Sequence, residues 1–277
     1  LGQLNSVSIG EKSALIISLS ASSVTAYVMP GATTGKISVS STAGTANSSE
    51  NFTLSTSSFP SAQQGDKLPG SGNVGPAESG RSVAISADGN TAIAGAPNDN
   101  NQQGAAWIFV RNGNEWKQQG PKLVGTGNIG SAQQGRSVAI SADGNTVIVG
   151  GYLDNKGTGA AWIFTRKNEV WTQQGEKLVG TGFDDYILPV NMGYSVGMSA
   201  DGNTVIIGAP YDSYPRGAAW IFIRKDNLWT QKGEKLFDEN SPEGGQGISV
   251  GLSADGSTAI VGAPLDKNQQ GVAFLYF

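Results

Sequence analysis

Aspartates recur along this chain at a fixed spacing, and carboxylates are side chains that hold divalent cations or transfer protons in enzymes. One aspartate stands in each of four copies of the hexapeptide SADGNT or SADGST, and a second follows eleven residues later. The first set is Asp88, Asp143, Asp201 and Asp255, and the second set is Asp99, Asp154, Asp212 and Asp266. A loop carboxylate most often accepts hydrogen bonds from backbone N–H groups, so we predict this role for the second set, with metal or ligand binding as the alternative.

The composition removes most catalytic chemistry. The chain has 277 residues and contains no cysteine and no histidine. This excludes disulfides, thiolate nucleophiles, Cys/His zinc sites and catalysis by Ser-His-Asp or Cys-His groups. The remaining enzymatic hypothesis is a glycosidase in which Asp184 or Asp185 faces another acid at about 5–9 Å. We predict that the protein is not an enzyme and uses no cofactor.

Charge and hydropathy restrict the partners and favour a location outside the cell. The net charge is −4, which gives no basic surface for nucleic acid. No apolar run approaches the roughly 18 residues that span a bilayer. Charged residues make up 14% of the chain, and its polar residues are mainly Ser, Thr, Asn, Gln and Gly, which favours a secreted or cell-surface protein of bacterial type. The chain begins at Leu1 without a signal peptide, which predicts a processed protein or a piece of a longer one.

Internal repeats with a period of about 55 residues dominate the chain after residue 59. The words QQG-x-KL and GAAWIF recur in phase with the hexapeptide. Each repeat contains four strand-like runs, which in the second repeat are Ser137–Ser141, Thr146–Gly151, Ala160–Arg166 and Val170–Gly180. Asp-Gly is a strong hairpin signal. We therefore predict that each hexapeptide forms the same hairpin turn between the first two strands of its repeat.

The strand-like runs are apolar on both faces, which predicts sheets that are covered on both sides. Four-stranded sheets stacked face to face around an axis form a β-propeller. The last repeat ends at Phe277 without an outer strand, and the unpartnered segment Gln63–Leu68 precedes the first repeat. We predict an all-β fold in which residues 59–277 form a four-bladed propeller and Gln63–Leu68 is the outer strand that closes the last blade.

The segment Gly80–Phe109 resembles FG-GAP repeats, the propeller repeats of integrin α-subunits and many bacterial surface proteins. The similar words are SVAIS, GAP and G-x-A-[WF]-x-[FY]. The resemblance implies extracellular recognition more often than catalysis. Many FG-GAP repeats carry an Asp-rich calcium loop between the first two strands, but here that loop is SADGN with one carboxylate. Calcium takes about six to eight oxygen ligands, so we predict no metal site.

Residues 1–58 show the alternating pattern of short strands, which predicts part of a β-sandwich. The candidate strands are Ser13–Ser20, Ser23–Met29, Gly35–Ser41 and Glu50–Thr56. The stretch from Val28 to Leu54 resembles the C-terminal half of IPT/TIG domains, an immunoglobulin-like family whose opening strands are missing here. A partial immunoglobulin-like sandwich has an open edge, which predicts completion by the parent protein or self-association with another chain.

Tryptophans recur in phase with the repeats. Trp107, Trp162 and Trp220 lie in the third strand-like run, where we predict packing between blades. Stacking on a sugar ring is the alternative role. It suits Trp116, Trp171 and Trp229 better, because these residues begin the outer strand.

The connections between repeats break the repeat pattern, and propeller topology places them on one rim with the loops between strands two and three. This rim gathers acids and tyrosines, and the predicted ligand-binding residues are Asp184, Asp185, Tyr186, Tyr211 and Tyr214. Acids beside exposed aromatics suit a carbohydrate, a cation or a basic partner. The alternative is an ordinary set of variable loops.

The function predicted from these features is non-catalytic. The leading hypothesis is an extracellular or cell-surface module for recognition, adhesion or structure, with a protein or a glycan as its ligand. One alternative is a carbohydrate-binding propeller lectin. A further alternative is a subunit of an extracellular fibre that assembles through the open sandwich edge by β-strand addition.

Overall fold

The computed structural model describes residues 4–20, 22–28, 32–54, 62–183 and 189–277. The chain divides into two compact units, Leu1–Gln63 and Gln64–Phe277. The described residues of both units are almost entirely β-strands and turns, as the sequence predicts.

The first unit contains two antiparallel sheets, with strand orders β2-β1-β5-β6 and β3-β4. Its strands are β1 Leu4–Ile9, β2 Lys12–Ser13, β3 Leu15–Leu19, β4 Val24–Tyr27, β5 Gly35–Ser41 and β6 Gly44–Phe52. The sequence did not predict β1. The sequence analysis also placed the start of the last strand too late, at Glu50 instead of Gly44. A turn of only two residues joins β5 to β6, so Ser41 already pairs with Gly44.

The second unit contains four antiparallel sheets, one for each repeat. The first consists of β7 Ser82–Ile85, β8 Thr91–Ala96, β9 Ala105–Asn112 and β10 Glu115–Gln118. The second consists of β11 Ser137–Ile140, β12 Thr146–Gly151, β13 Ala160–Lys167 and β14 Val170–Gln173. The third consists of β15 Ser195–Met198, β16 Thr204–Ala209, β17 Ala218–Lys225 and β18 Leu228–Gln231, and the fourth of β19 Ser249–Leu252, β20 Ala259–Ala263 and β21 Val272–Tyr276. Short helical segments follow the second strand at α1 Asp99–Gln102, α2 Asp154–Gly157 and α3 Asp266–Gln269.

Each hexapeptide forms the turn between the first two strands of its sheet, which confirms the hairpin prediction. In the first sheet the N–H of Ser86 donates to the carbonyl of Thr91 at 2.8 Å, and Gly89 takes a φ of 68° at the turn. The Ser86 hydroxyl donates to Asp88 at 2.5 Å and accepts from the N–H of Thr91 at 3.0 Å. Asp88 also accepts from the N–H of Asn90 at 2.9 Å. Serine, aspartate and glycine therefore each have a defined part in the turn.

The turns of consecutive sheets are also hydrogen-bonded to one another through the alanine of the hexapeptide. The N–H of Ala87 donates to the carbonyl of Ala142 at 3.0 Å, and the N–H of Ala142 donates to Ala200 at 2.8 Å. The N–H of Ala200 donates to the carbonyl of Ala254 at 2.8 Å. We call this series the turn ladder. It gives the repeated hexapeptide a second role, because each turn connects one sheet to the next.

The hairpin aspartates make the stability of the second unit depend on pH. Hydrogen bonds from Ser253 and Ser257 lower the pKa of Asp255 to about 2, and those from Ser86 and Asn90 lower the pKa of Asp88. In the unfolded chain the pKa of an aspartate is about 3.9. The stabilisation that these hydrogen bonds contribute is therefore complete above that pH, and it is lost as the pH falls through the lower pKa of the folded state.

We expect the urea concentration at the midpoint of unfolding to decrease as the pH is lowered from about 4 to about 2. The decrease is expected to be less steep in the double variant Asp88→Asn/Asp255→Asn. Tryptophan fluorescence measures this, because all six tryptophans belong to the second unit. Asp66→Asn, in an exposed segment outside the hairpins, is the control. Equal pH slopes for the double variant and the unmodified chain would contradict the assignment.

Consecutive sheets of the second unit pack face to face. Ile148 and Ile163 of the second sheet lie in one buried cluster with Val205, Trp220 and Phe222 of the third. Equivalent clusters join the first sheet to the second and the third to the fourth. The first strands of the sheets contact one another in chain order. The arrangement is therefore propeller-like, and it explains why the strands are apolar on both faces.

The two ends of this stack are open. Val83 on the first sheet is 70% exposed, although the equivalent Val138 of the second sheet is buried. Ile260 and Leu275 on the fourth sheet are 45% and 59% exposed, although their equivalents in the second sheet are buried. The outward faces of the first and fourth sheets therefore do not cover each other.

The prediction that Gln63–Leu68 completes the fourth sheet is wrong. The fourth sheet has three strands, and the described residues of this segment form no strand. Gln64 instead lies beside the first sheet, where its side chain donates to Asn114 at 3.3 Å and accepts from Trp116 at 3.1 Å. Because four sheets leave both ends of the stack open, a segment beside the first sheet does not reach the fourth.

Candidate ligand-binding rim

One side of the second unit is formed by the loops between the second and third strands together with the connections into the next sheet. Parallel bridges join the two kinds of segment at Gly104 and Gln134, Gly159 and Met192, and Gly217 and Gln246. This confirms the prediction that they share a rim. We call it the loop rim, and it comprises the loops 97–104, 152–159, 210–217 and 264–271 with the connections 119–136, 174–183, 189–194 and 232–248.

The second set of aspartates is buried in the loop rim. Asp99 accepts a hydrogen bond from the N–H of Val74 at 2.7 Å, and its other carboxylate oxygen pairs with the ammonium of Lys122 at 2.5 Å. The same ion pair joins Asp154 to Lys177 and Asp212 to Lys235. The predicted backbone hydrogen bonds are therefore confirmed at Asp99 and Asp154. Each of the three carboxylates is compensated by an ammonium, which leaves it poorly suited to bind a cation.

The lysines of these ion pairs were missed by reasoning from the sequence. Each one follows its aspartate by 23 residues and stands in the word QQG-x-KL or, for Lys235, in its variant QKGEKL. The shared phase of aspartate and lysine was the signal that could have identified the pairs. Within the described ranges no group of three or more acidic, cysteine or histidine residues could hold a metal ion.

Two groups of tyrosines lie on the loop rim. The rings of Tyr211 and Tyr214 are 5.7 Å apart at an angle of 47°, and Tyr214 is 56% exposed. Tyr152 packs edge-on against Tyr194 at 5.6 Å, and the guanidinium of Arg136 lies 4.2 Å from the centre of the Tyr194 ring. The structure thus brings together two of the five predicted site residues. The other three, Asp184, Asp185 and Tyr186, lie outside the described residues.

The backbone N–H at Tyr211 is held in the same way in every repeat. The N–H of Tyr211 donates to the carbonyl of Val190 at 3.2 Å, and the equivalent N–H groups of Asn98 and Leu153 make the same bond to Ala77 and Ala132 at 3.2 Å. The scaffold therefore fixes the main chain at this position and leaves the side chain variable. Tyr194 likewise occupies the position that Arg136 has in the previous repeat.

The tryptophans of the outer strands are engaged between sheets. The indole N–H of Trp171 donates to Gln119 of the preceding sheet at 2.9 Å, and the guanidinium of Arg166 lies 5.4 Å from the ring centre. Trp116 and Trp229 have the equivalent partners. These contacts make sugar stacking at the three rings less suitable than the sequence indicates. Trp162 and Trp220 are fully buried between sheets, as predicted, whereas Trp107 is fully buried beside Ala77 and residues of its own sheet.

The opposite rim, which carries the hairpin turns, has two equivalent grooves of about 520 and 530 Å³. Arg224 lines the first groove and donates to Asn203 at 2.8 Å and to Gln174 at 3.1 Å. Burial lowers the pKa of Arg224, while the charges of Asp201 and Asp143 oppose that shift. The polar groups of Arg224, Asn203 and Gln174 on this rim are thus bonded to one another.

Comparisons with known proteins add little to this geometry. No protein-family model matches the chain, so the FG-GAP and IPT/TIG resemblances stay predictions, and no curated protein sequence matches it. A hydrazine synthase of Kuenenia stuttgartiensis has 12% identity and a TM-score of 0.43, over 78% of this chain and 49% of its own. A protein described as TolB from Agrobacterium tumefaciens has 13% identity and a TM-score of 0.43, over 70% of this chain and 56% of its own. The chain spans about half the length of these structures, and its propeller-like arrangement is seen in the pairing and packing of its own sheets.

Proposed function

We propose that this chain is a non-catalytic recognition module and that the loop rim is its binding surface. The observation that carries the proposal is the pair Tyr211 and Tyr214, whose rings lie 5.7 Å apart with Tyr214 56% exposed. Tyr211 occupies a position where the backbone N–H makes the same bond in each repeat and the side chain differs. A rigid scaffold with variable side chains is the usual design of a binding surface.

The ligand that this surface suits best is a carbohydrate. Tyrosine presents an apolar ring face and a hydroxyl, and a sugar ring offers a C–H face and hydroxyl groups. Arg136, beside Tyr152 and Tyr194, adds hydrogen-bond donors on the same rim. The buried ion pairs of Asp99, Asp154 and Asp212 favour binding over catalysis here, because these acids are already compensated.

We place this module outside the cell, on the cell surface or secreted. The low fraction of charged residues, 14%, and the FG-GAP resemblance support that location. No helix within the described ranges is both long and apolar enough to cross a membrane. We further propose that the second unit is of FG-GAP type and that the two sheets of the first unit are part of an immunoglobulin-like sandwich. Fibre assembly through the open sandwich edge stays a prediction.

A glycan array followed by titration of the best ligand tests the proposal. We expect saturable binding, and we expect Tyr211→Ala and Tyr214→Ala each to raise the Kd about tenfold, equivalent to roughly 1.4 kcal/mol. Leu228→Ala is the matched control, because Leu228 is exposed on an outer strand away from the loop rim. An array without any bound glycan would contradict the proposal, and so would binding that both tyrosine variants retain in full.

A further inference from the structure

One arginine of the loop rim differs from the arginines of the opposite rim in the way its guanidinium is held. On the opposite rim, Arg111, Arg166 and Arg224 each donate from Nε to the asparagine of a hairpin turn at 2.8–2.9 Å. The guanidinium of Arg136 makes no hydrogen bond and no ion pair to any described residue. Its nitrogen atoms are also not among the buried atoms of the described residues that lack a partner, so solvent reaches them. The five N–H groups of this side chain are therefore open to a ligand.

Two tyrosine rings hold the guanidinium of Arg136 in place. Its carbon Cζ lies 4.2 Å from the centre of the Tyr194 ring and 5.7 Å from the centre of the Tyr152 ring. The two rings meet edge to face, with their centres 5.6 Å apart and an angle of 85° between them. A guanidinium is planar, and its N–H groups form a rigid fork in that plane. The contacts with the rings therefore restrict the direction of the fork before a ligand arrives.

The described segments that meet at Arg136 carry an excess of positive charge. In the connection 119–136, the loop 152–159 and the connection 189–194, the charged residues are Lys122, Arg136, Asp154 and Lys156. Lys122 and Asp154 are each engaged in an ion pair with a buried partner or as one. The charges that remain in these segments are those of Arg136 and the exposed Lys156, and both are positive. A negatively charged ligand group is therefore favoured at this point of the loop rim.

The connection 189–194 joins Arg136 to the tyrosine pair of the proposed site. The carbonyl of Val190 accepts the hydrogen bond from the N–H of Tyr211 at 3.2 Å. Four residues later the same connection carries Tyr194, whose ring contacts the guanidinium of Arg136. One short segment thus holds both the aromatic pair and the ring under the guanidinium, so the two belong to one binding surface.

We infer that the ligand of the loop rim is an acidic glycan, in which a sugar bears a carboxylate or a phosphate group, and that Arg136 binds this group. A guanidinium fork forms two parallel hydrogen bonds to such a group, and charge-assisted bonds of this kind are roughly twice as strong as bonds between neutral groups. A neutral sugar offers only hydroxyl groups to the same fork. The inference rests on the proposed function of the loop rim and adds the charge of the ligand and the residue that reads it.

An array of neutral, uronate-containing, sialylated and phosphorylated glycans tests the inference with the unmodified chain. We expect the tightest-binding glycan to be acidic, and the group that it carries, carboxylate or phosphate, identifies the source of the charge. Its neutral form, made by reducing the carboxylate to an alcohol or by removing the phosphate, is expected to bind at least tenfold more weakly. If the neutral form binds equally well, the inference falls and the proposed function stands, whereas an array without any bound glycan contradicts both.

The variant Arg136→Gln tests whether this arginine is the residue that reads the charge. It is expected to raise the Kd of the acidic glycan at least tenfold and to leave the Kd of the neutral form unchanged. Arg81→Gln is the matched control, because Arg81 is the equivalent residue of the first repeat, where Pro97 and Arg136 stand at the positions of Tyr152 and Tyr194. This control removes the same charge and is expected to leave both Kd values unchanged.

Circular dichroism of both arginine variants establishes that they are folded. A folded Arg136→Gln variant that binds the acidic glycan as tightly as the unmodified chain would overturn the inference. Equal losses of affinity in Arg136→Gln and Arg81→Gln would also overturn it, because the effect would then follow the net charge of the chain and not the fork held by the two tyrosines.

Discussion

Replacing Trp162 by alanine is expected to lower the free energy of unfolding of the second unit by about 3–5 kcal/mol. Trp162 is fully buried among the side chains that join the first sheet to the second. Its indole N–H donates to the carbonyl of Thr126 at 2.8 Å, and Gly125 lies so close to the ring that a Cβ there would overlap it. Alanine would leave a cavity at a junction between sheets. Urea unfolding followed by far-ultraviolet circular dichroism measures the loss.

Two further variants separate cavity formation from other effects. Trp162→Phe keeps an aromatic ring, as the fourth repeat does with Phe274, but removes the indole hydrogen bond. The free energy of unfolding is therefore expected to fall by about 1 kcal/mol. Trp171→Ala removes a half-buried ring from an outer strand, and about 1–2 kcal/mol is expected. Equal losses for Trp162→Ala and Trp171→Ala would contradict the assignment of Trp162 to the packed junction.

Replacing Lys177 by methionine is expected to lower the free energy of unfolding by about 2–4 kcal/mol. The substitution leaves the buried carboxylate of Asp154 without its ammonium partner. Removing one member of a fully buried pair costs about 3–5 kcal/mol, and the expected loss is smaller because the Lys177 side chain is 18% exposed. Urea unfolding followed by tryptophan fluorescence measures the change.

The double variant Lys177→Met/Asp154→Leu tests the cause of that loss. It removes both charges, so much of the stability lost in the single variant is expected to return, apart from the hydrogen bond from Ile129. The control is Lys117→Met, which breaks an exposed pair with Glu115 and is expected to leave the stability nearly unchanged. If Lys177→Met lowers the free energy of unfolding no more than Lys117→Met does, the buried pair is refuted. It is also refuted if the double variant is no more stable than Lys177→Met.

The sequence predicted those parts of the fold that depend on neighbouring residues. The hydrogen bonds that close the Asp-Gly turn at Asp88 are local, because they join residues within the hexapeptide Ser86–Thr91. The face-to-face stacking of sheets follows from strands without alternation, such as Thr146–Gly151. Whether the sheets close into a ring was not predictable in this way. The number of sheets that fill a circle depends on the angle between neighbouring sheets, and no single repeat encodes that angle.

The candidate site was predictable only in part, for a similar reason. The positions where repeats differ point to Tyr211 and Tyr214, but their 5.7 Å separation depends on the path of the loop. The outer-strand residue Trp171 looked available for stacking, because Gln119 of the preceding sheet is not near it in sequence. Contacts between sheets therefore decided which aromatic rings stayed accessible.

The claim on which the rest depends is that the four sheets stack in chain order and are joined by the turn ladder. Amide hydrogen exchange of the chain in dilute solution tests it most directly. The N–H groups of Ala87, Ala142 and Ala200 are expected to be protected although they lie in turns, and that of Ala254 is expected to exchange as fast as an unstructured loop. Fast exchange at all four alanines would show that the hairpins are not joined and would contradict the stacked arrangement.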